Sequence, residues 1–431
     1  MGAPQRLHDF KRLLAHAREQ LGLDIGFVLW DGSTVPGDLA AGAFAMVFAD
    51  EGVVAALIRR PKIDTLANLW VSGRLDLRNG SLFDLAARRP RVGLRGLKAK
   101  LDKSLLLKCL LDFLLVSRGG PWPLDAVRGD KARSGSERSN KANIEYHYDV
   151  SNDFYALFLD PEMVYSCAYF GEWHNDIAKA QRDKLDMICR KLRLKPGESF
   201  LDVGCGWGAL ICHAAQHYGV RAHGVTLAEN QYAYAMEKVA RLGLRDRVTL
   251  ELKDYTRLDG SFDKIASIGM FEHVGLAHHG AYFAAIQRLL TPRGLYLHHA
   301  IARAAKGDER RFRRKRPEAA AIARYIFPGG ELDHIGMSLA NLERHGFEVH
   351  DVEAWREHYA RTTRLWHDRL LANFDAAARE VGGVKTRLWL AYLAGVSLAF
   401  ERNTLRIFQT LVSKRARGPS GLPPSRADLY R

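Results

Sequence analysis

Apolar positions recur along this chain with changing periods, and the changes predict its elements. Between about residue 5 and residue 115, short apolar runs at Ile25–Trp30 and Val53–Ile58 predict strands, and the pattern over Leu82–Arg89 predicts a helix. This mixture is typical of a small mixed α/β domain, and it contains no motif that names a chemistry. We expect this first domain to span residues 1–116.

The pattern changes after this domain. Residues 117–142 are rich in Gly, Pro, Ser and charge, which is typical of a linker. The predicted second domain, residues 143–431, contains an amphipathic helix over Ala178–Leu192. Strands and helices then alternate as in an α/β fold with a doubly wound parallel sheet. The strands are predicted at Ser199–Val203, Ala222–Leu227, Val248–Leu252 and Phe262–Ile268, and the helices at Ala209–Tyr218 and Asn230–Leu242.

A glycine-rich turn follows the first strand of this second domain. Gly204, Gly206 and Gly208 lie just before a helix, where backbone amides and the helix dipole favour a carboxylate or a diphosphate. A nicotinamide dinucleotide site predicts G-x-G-x-x-G and an acid at the end of the second strand. Here the spacing is G-x-G-x-G and the strand ends near Thr226, so the pattern favours S-adenosylmethionine.

The net positive charge of the chain indicates which kinds of partner its surface attracts. Lys and Arg number 64 against 49 Asp and Glu, a net charge of +15, and such a surface attracts nucleic acid or anionic lipid. A basic run over residues 303–316 is a candidate for docking on an anionic membrane leaflet, with a solvated loop as the alternative.

The cellular location is predicted from sequence patterns that are absent. No apolar run reaches the ~20 residues that span a bilayer, and the N-terminus has no apolar core of a signal peptide. The five cysteines form no CxxC pair and no zinc-type spacing, so we expect no metal site and a reducing compartment. We therefore expect a cytoplasmic protein associated peripherally with the inner face of the membrane.

Longer motifs are more specific than the glycine turn. The runs Tyr165–Phe170 and Phe271–Gly275 resemble the cyclopropane-fatty-acyl-phospholipid synthase and mycolic-acid cyclopropane synthase family. The resemblance covers about residues 143–415 and continues through Tyr146–Asp149, Gly224–Thr226, His299–Ile301, Tyr325–Pro328, Tyr359, Thr362 and Trp366. It implies a class I, Rossmann-like methyltransferase domain that uses S-adenosylmethionine to build cyclopropane rings at cis double bonds of unsaturated phospholipid acyl chains. The first 115 residues resemble the family's N-terminal domain only loosely, which implies a lipid-binding or accessory role.

The resemblance also implies a set of cofactor-binding residues. It comprises Tyr165, Ser166, Asp202, Gly204, Gly206, Gly208, Thr226, Gln231, Asp254 and Tyr255. Because the usual acid for the ribose is missing near Thr226, Asn230 and Gln231 are the nearest substitutes, unless they only cap the helix or lie on the surface. Asp254 and Tyr255 lie where the adenine edge is expected, with a turn Asp and a packed Tyr as the structural alternative.

The implied chemistry makes demands on the site. An alkene is a weak nucleophile, so the methyl donor has to be held close to it in a dry pocket. Methyl transfer leaves a carbocation, which aromatic faces stabilise, and Tyr169, Phe170, Tyr255 and Tyr359 are candidates. The transferred methyl then has to lose a proton to a nearby base before the ring closes.

In the resembled family this base is a bound bicarbonate. The motifs imply that the side chains of Glu272, His299 and Tyr359 hold it together with the backbone of Cys167 and Ile301. Since Glu272 would repel an anion, we expect it to share a proton with bicarbonate or to pair with His299. A core histidine and a capping glutamate are the structural alternatives. No base pattern supports Cys167 as a nucleophile.

Other functions are open to comparison. The basic charge suits a nucleic-acid methyltransferase, but the chain has no Asn/Asp-Pro-Pro-aromatic motif and no Pro-Cys nucleophile motif. A non-catalytic lipid-binding protein would not need Glu272, His299 and Tyr359 together. The same carbocation can also lose a different proton or rearrange, giving a methyl- or methylene-branched acyl chain. The resemblance further suggests a homodimer.

Overall fold

The computed structural model describes residues 2–88, 101–125, 150–314, 317–327 and 330–430. Contacts divide the chain into two compact units, residues 1–128 with 382–394 and residues 129–381 with 395–431. Several predicted segments lie outside the described residues: Tyr146–Asp149, Arg89, Lys315, Arg316, Pro328 and the linker from residue 126 onward.

The first unit contains a four-stranded sheet with helices. Its strands are β1 (Gly26–Val28), β2 (Thr34–Val35), β3 (Ala45–Phe48) and β4 (Leu75–Arg78), in the order β2-β1-β3-β4. Only the β1–β3 pair is parallel. The helices cover Ala3–Leu21, Glu51–Arg59, Ile63–Val71, Leu82–Ala87 and Lys103–Leu114. Phe10 joins the first helix to the core through edge contacts with Phe48 and Phe113, at 5.6 and 5.8 Å between ring centroids.

The strand predicted over Val53–Ile58 is wrong, because these residues belong to the helix Glu51–Arg59. All five residues from Gly52 to Ala56 are buried, so the segment shows no polar face with a helical period. A short, wholly apolar run fits either element, and here the alanines at 55 and 56 favour the helix.

The second unit contains a seven-stranded sheet. Its strands are β5 (Ser199–Val203), β6 (Arg221–Thr226), β7 (Val248–Leu252), β8 (Phe262–Ile268), β9 (Leu290–Arg303), β10 (Phe347–Ala354) and β11 (Leu405–Lys414). The order is β10-β11-β9-β8-β5-β6-β7. Every neighbouring pair from β9 to β7 is parallel, whereas β11 runs antiparallel to both β9 and β10. The four strands predicted in this unit are confirmed within one residue at each end.

Helices pack on both faces of this sheet. Successive side chains of a strand point to opposite faces, so Phe200 joins one hydrophobic core and Leu201 the other. The first core includes Ile188 of the helix Ile177–Lys191, and the second includes Tyr282 of the helix His279–Leu289. This confirms the predicted α/β, doubly wound architecture.

The remaining helices of the second unit follow the same chain order. They are Asn152–Ala156, Ala209–Tyr218, Glu229–Arg241, Glu309–Arg313, Pro317–Tyr325, Ile335–Arg344, Arg356–Ala372 and Phe374–Val381. The helix Gly383–Glu401 is divided between the two units, because residues 382–394 group with the first unit. No helix in the described ranges has the length and apolar character needed to cross a membrane.

The strand order fixes where a ligand can bind. From the central strand β5 the chain continues to β6 and β7 on one side, and later returns to place β8 on the other side. At such a reversal the loops after the strands separate and leave a crevice at their carboxyl ends.

Candidate active site

A pocket occupies this crevice at the carboxyl ends of β5, β6 and β8. It is lined by nine of the ten predicted cofactor residues, namely Tyr165, Ser166, Asp202, Gly204, Gly206, Thr226, Gln231, Asp254 and Tyr255. Gly208 does not line it, because this residue is the N-cap of the helix Ala209–Tyr218, with φ at 79°. The sequence therefore brings residues from four separate loops to one place.

The glycine turn forms one wall of the pocket. Gly204 has a φ of 82°, which favours glycine, and a Cβ there would lie 2.8 Å from Cγ of Met270. The backbone after β5 therefore approaches the loop after β8 more closely than any side chain would permit.

Asp202 provides a buried acid beside this turn. It is 3% exposed, and its Oδ1 has no hydrogen-bond partner among the described residues. Burial raises its pKa to about 7, although the charge of Lys184 opposes that rise. A carboxylate oxygen without a partner fits the ammonium group of an amino-acid-bearing cofactor such as S-adenosylmethionine.

Lys184 is a pocket residue that the sequence did not reveal. It lies on the amphipathic helix Ile177–Lys191, where a lysine is usually a surface residue, yet it is 2% exposed. Its Nζ donates to Oγ of Ser166 at 3.0 Å. Burial lowers its pKa to about 8, while the charges of Asp160, Cys167 and Asp202 act in the opposite direction.

The two predicted substitutes for the ribose-binding acid, Asn230 and Gln231, have different environments in the structure. Gln231 is buried and lines the pocket, and its Oε1 accepts a hydrogen bond from Oγ1 of Thr226 at 3.1 Å. Asn230 is exposed, and neither residue caps the helix Glu229–Arg241, whose N-cap is Ala228. Asp254 lines the pocket while its Oδ1 accepts from the backbone N–H of Thr256 at 2.8 Å, so the turn role is observed and the contact with adenine stays a prediction.

None of the five predicted catalytic residues lines this pocket, although Cys167 and Glu272 are adjacent in sequence to the lining residues Ser166 and His273. Glu272 is 9% exposed, and its Oε1 accepts from the backbone N–H of Ile301 at 2.6 Å. Its Oε2 has no partner within the described ranges. Burial raises the pKa of Glu272 to about 7, the bond from Ile301 lowers it, and the charge of Asp333 raises it further.

His299 lies two residues before Ile301 on β9 and is completely buried. Its Nδ1 is 2.8 Å from Nε2 of Gln409, and its Nε2 has no partner in the part of the chain that is described. Glu272 and His299 do not pair with each other, because Oε2 of Glu272 and Nε2 of His299 both have no hydrogen-bond partner among the described residues. The alternative expectation, a proton shared between Glu272 and bicarbonate, stays a prediction. The backbone N–H of Ile301 donates a hydrogen bond to Glu272. The neighbouring strand β11 places Gln409 opposite His299.

Trp355 links three of the predicted catalytic residues, although the sequence gave no reason to select it. Its ring meets the His299 ring edge-on at 5.3 Å between centroids. Its carbonyl oxygen accepts from the backbone N–H of Tyr359 at 3.0 Å and lies 3.8 Å from Sγ of Cys167. Burial raises the pKa of the Cys167 thiol well above its ordinary value, so this thiol stays protonated and is a poor nucleophile.

The predicted aromatic residues fall into separate groups. Tyr169 and Phe170 both stack on the ring of His358, at 5.0 and 6.1 Å between centroids, and Tyr169 also contacts Trp355 at 5.0 Å. Tyr255 instead lines the cofactor pocket and contacts Tyr282. The first group is thus connected to His299 through Trp355.

Comparisons with known proteins agree with this architecture. Residues 135–410 match the model of the mycolic acid cyclopropane synthetase family. A protein of Pseudomonas putida named probable fatty acid methyltransferase is 36% identical over 421 residues, which is 97% of this chain and 99% of that protein. The cyclopropane-fatty-acyl-phospholipid synthase of Escherichia coli (strain K12) is 37% identical over 268 residues, covering 62% of this chain and 66% of that protein.

A solved structure is similar in fold as well. The mycolic acid cyclopropane synthase CmaA1, solved as a complex with SAH and CTAB, has a TM-score of 0.59 and 35% sequence identity. The alignment covers 64% of this chain and 98% of that one.

Replacing the buried acid of the pocket tests its role. We expect Asp202→Asn to weaken binding of S-adenosylmethionine by about 10- to 100-fold, because a charge-assisted hydrogen bond to the ammonium group is lost. Since the Asp202 pKa is about 7, wild-type affinity should rise between about pH 6 and about pH 8 as the carboxylate ionises. Isothermal titration calorimetry measures both effects. The exposed Asp259→Asn is the control, and a pH dependence that persists in Asp202→Asn would contradict the assignment.

Proposed function

The chain belongs to the mycolic acid cyclopropane synthetase family of S-adenosylmethionine-dependent methyltransferases, and on that basis we propose that it forms cyclopropane rings at cis double bonds of unsaturated phospholipid acyl chains. This proposal depends chiefly on two buried polar atoms without a partner among the described residues. They are Oε2 of Glu272, which follows β8, and Nε2 of His299 on β9. Ring closure requires removal of a proton in a water-poor place, and these atoms provide groups that can hold the base.

Bound S-adenosylmethionine supplies an electrophilic methyl group on a positively charged sulfur. The residues that line the pocket would hold it: Asp202 would bind the ammonium group, the turn at Gly204 would offer its backbone N–H groups, and Tyr255 would pack against it. The aromatic rings of Tyr169 and Trp355 exclude water and present π faces that stabilise positive charge developing on the acyl chain.

Bicarbonate, when bound, supplies the base. Glu272 with a pKa of about 7 exists partly as the acid at neutral pH, so its O–H can donate a hydrogen bond to an anion instead of repelling it. Burial lowers the pKa of His299 well below its ordinary value, so the ring is neutral. The Ile301 N–H already bonds to Glu272, and we therefore assign Ile301 to orienting that carboxyl group. Tyr359 and the backbone of Cys167 complete the proposed anion site.

A second product has one observation in its favour. The relative that matches nearly the full length of this chain is named a probable fatty acid methyltransferase, without a ring in its name. Loss of a different proton from the same carbocation gives a methyl- or methylene-branched acyl chain. The homodimer that the family resemblance implies stays a prediction.

We assign the contact with anionic lipid headgroups to the basic segment after β9. Arg310, Arg311, Arg313 and Arg314 are exposed, and Arg303 lies over the ring of Phe312 at 3.9 Å. Such clustered cations near an anionic leaflet contribute up to ~1 kcal/mol each.

We assign lipid contact in the first unit to one helix. The helix Lys103–Leu114 buries Leu105, Cys109 and Phe113. A second apolar face at helical spacing stays exposed and comprises Leu107, Leu110, Leu111, Leu114 and the following Leu115, which is 92% exposed. Apolar patches of this kind favour an interface, and a phospholipid bilayer fits because it is the phase in which the proposed substrate resides.

The isosteric change Glu272→Gln tests the proposed base site. We expect it to lower kcat for cyclopropane formation by on the order of 100-fold or more, because the amide cannot share a proton with the anion. Gas chromatography with mass spectrometry of the acyl chains measures the product, and the exposed Glu343→Gln is the matched control. Depleting bicarbonate should slow the wild-type protein, and an undiminished rate in both experiments would refute the base site.

Charge reversal tests the basic segment. We expect Arg311, Arg313 and Arg314 changed to Glu to weaken binding to vesicles containing anionic phospholipid by at least about tenfold. The control reverses three exposed arginines elsewhere in the same unit, Arg245, Arg415 and Arg417, with the same change in net charge. Equal partitioning of the two variants in a flotation assay would show that only net charge matters.

Polar substitution tests the leucine face. Leu111→Ser with Leu115→Ser should weaken vesicle binding by roughly 30-fold or more, since the two leucines together contribute roughly 2 to 4 kcal/mol when they leave water. Leu66→Ser with Leu371→Ser is the control, because these exposed leucines lie outside the face. Flotation that is unaffected by the first pair would rule out this face as the membrane contact.

A further inference from the structure

Three buried side chains form a line that ends at His299. Gln409 lies directly opposite His299 in the antiparallel pair of β11 and β9. Its Nε2 is 2.8 Å from His299 Nδ1, and its Oε1 is 2.7 Å from Nζ of Lys191. Lys191 and Gln409 are each 1% exposed, so water does not compete for these bonds.

The direction of this line fixes where the histidine proton lies. A lysine ammonium can only donate, so it selects the oxygen end of the Gln409 amide. The NH₂ end then faces His299, and because an amide NH₂ also only donates, Nδ1 has to accept. The single ring proton of a neutral histidine is therefore on Nε2.

The surroundings keep this arrangement in place. Lys191 also forms an ion pair with Glu353 and lies 5.0 Å from the centre of the Trp355 ring, and both contacts favour its charged form. Burial chiefly lowers the pKa of His299, and the charges of Lys184, Lys191 and His298 add to that effect. The ring consequently stays neutral and keeps one defined tautomer.

We propose that Lys191 and Gln409 are positioning residues that hold His299 as its Nε2–H tautomer, so that His299 donates a hydrogen bond to the small oxyanion bound beside Glu272. The inference rests on the proposed function, because the oxyanion is the base of that reaction. Lys191 and Gln409 touch neither substrate nor cofactor, and they act only through the histidine. Without the ammonium the amide is free to turn, so the proton occupies Nδ1 in part of the molecules and leaves Nε2 there as an acceptor that repels an anion.

Histidine tautomers can be read directly by ¹⁵N NMR of the full chain labelled with ¹⁵N-histidine, with the His299 signals identified by their loss in His299→Ala. We expect the wild-type protein to show a protonated Nε2 and an unprotonated Nδ1. Gln409→Glu should reverse this pattern, because a carboxylate accepts from both Lys191 and Nδ1–H. Lys191→Met should give a mixture, which provides a second variant if Gln409→Glu folds poorly.

Kinetics separate positioning from a general structural effect. Gln409→Glu should lower kcat by on the order of 100-fold or more, because a histidine in the wrong tautomer cannot donate to the oxyanion, with KM for S-adenosylmethionine changed by less than about twofold. Thr410→Val is the control, since Thr410 is the adjacent buried residue of β11 and its hydroxyl has no partner among the described residues. It should leave both kcat and the tautomer unchanged.

The outcomes distinguish a failure of the role of Lys191 and Gln409 from a failure of the proposed function. A wild-type protein with protonated Nδ1, or a Gln409→Glu variant with the wild-type tautomer and rate, would overturn the role of Lys191 and Gln409 while the proposed function stands. If the wild-type protein forms no cyclopropane product, the proposed function fails. The spectra still decide the tautomer in that case, because they require no turnover.

Discussion

Leaving a buried polar atom without a partner costs about 1–3 kcal/mol, and the second unit carries several such atoms in its candidate site. Oδ1 of Asp202, Oε2 of Glu272 and Nε2 of His299 are all buried without a hydrogen-bond partner among the described residues. A fold retains atoms of this kind where a ligand satisfies them. The same burial raises the pKa of the two acids to about 7, so their protonation can respond to what binds. Cofactor binding and the proposed base chemistry therefore depend on one physical condition, the exclusion of water from this part of the sheet.

The topology of the sheet determines which atoms are shielded from water. Reversal of strand order at β5 opens the cofactor pocket, and the antiparallel strand β11 lies against β9 beyond it. Trp355, at the start of the helix Arg356–Ala372, then contacts His299, Tyr169 and the backbone of Tyr359. One buried residue thus connects the loop containing Cys167, the strand containing His299 and the helix containing Tyr359, through its ring and its backbone carbonyl.

The local pattern of the sequence predicted the parallel strands and the glycine turn, because period and turn chemistry act over short distances. It failed at Val53–Ile58, where complete burial removed the helical period. The family resemblance selected Glu272 and His299, and one of its two alternatives paired them with each other. Their actual partners, Ile301 and Gln409, are 29 and 110 residues away, and only the pairing of β9 with β11 and the return of the chain after β8 bring them close. Lys184 was missed for a related reason, since an amphipathic helix gives no sign that one of its lysines points into a pocket.

The central claim is that a carbon from S-adenosylmethionine becomes a ring carbon in an acyl chain. The most direct measurement supplies the purified protein with S-adenosylmethionine carrying ¹³C in its methyl group and with vesicles of unsaturated phospholipid, and follows the label by ¹H–¹³C NMR. The account predicts that the label appears in the methylene group of a cis cyclopropane ring, with one proton lost from the original methyl. Label in a branching methyl group or an exocyclic methylene, or no label in the lipid at all, would contradict it.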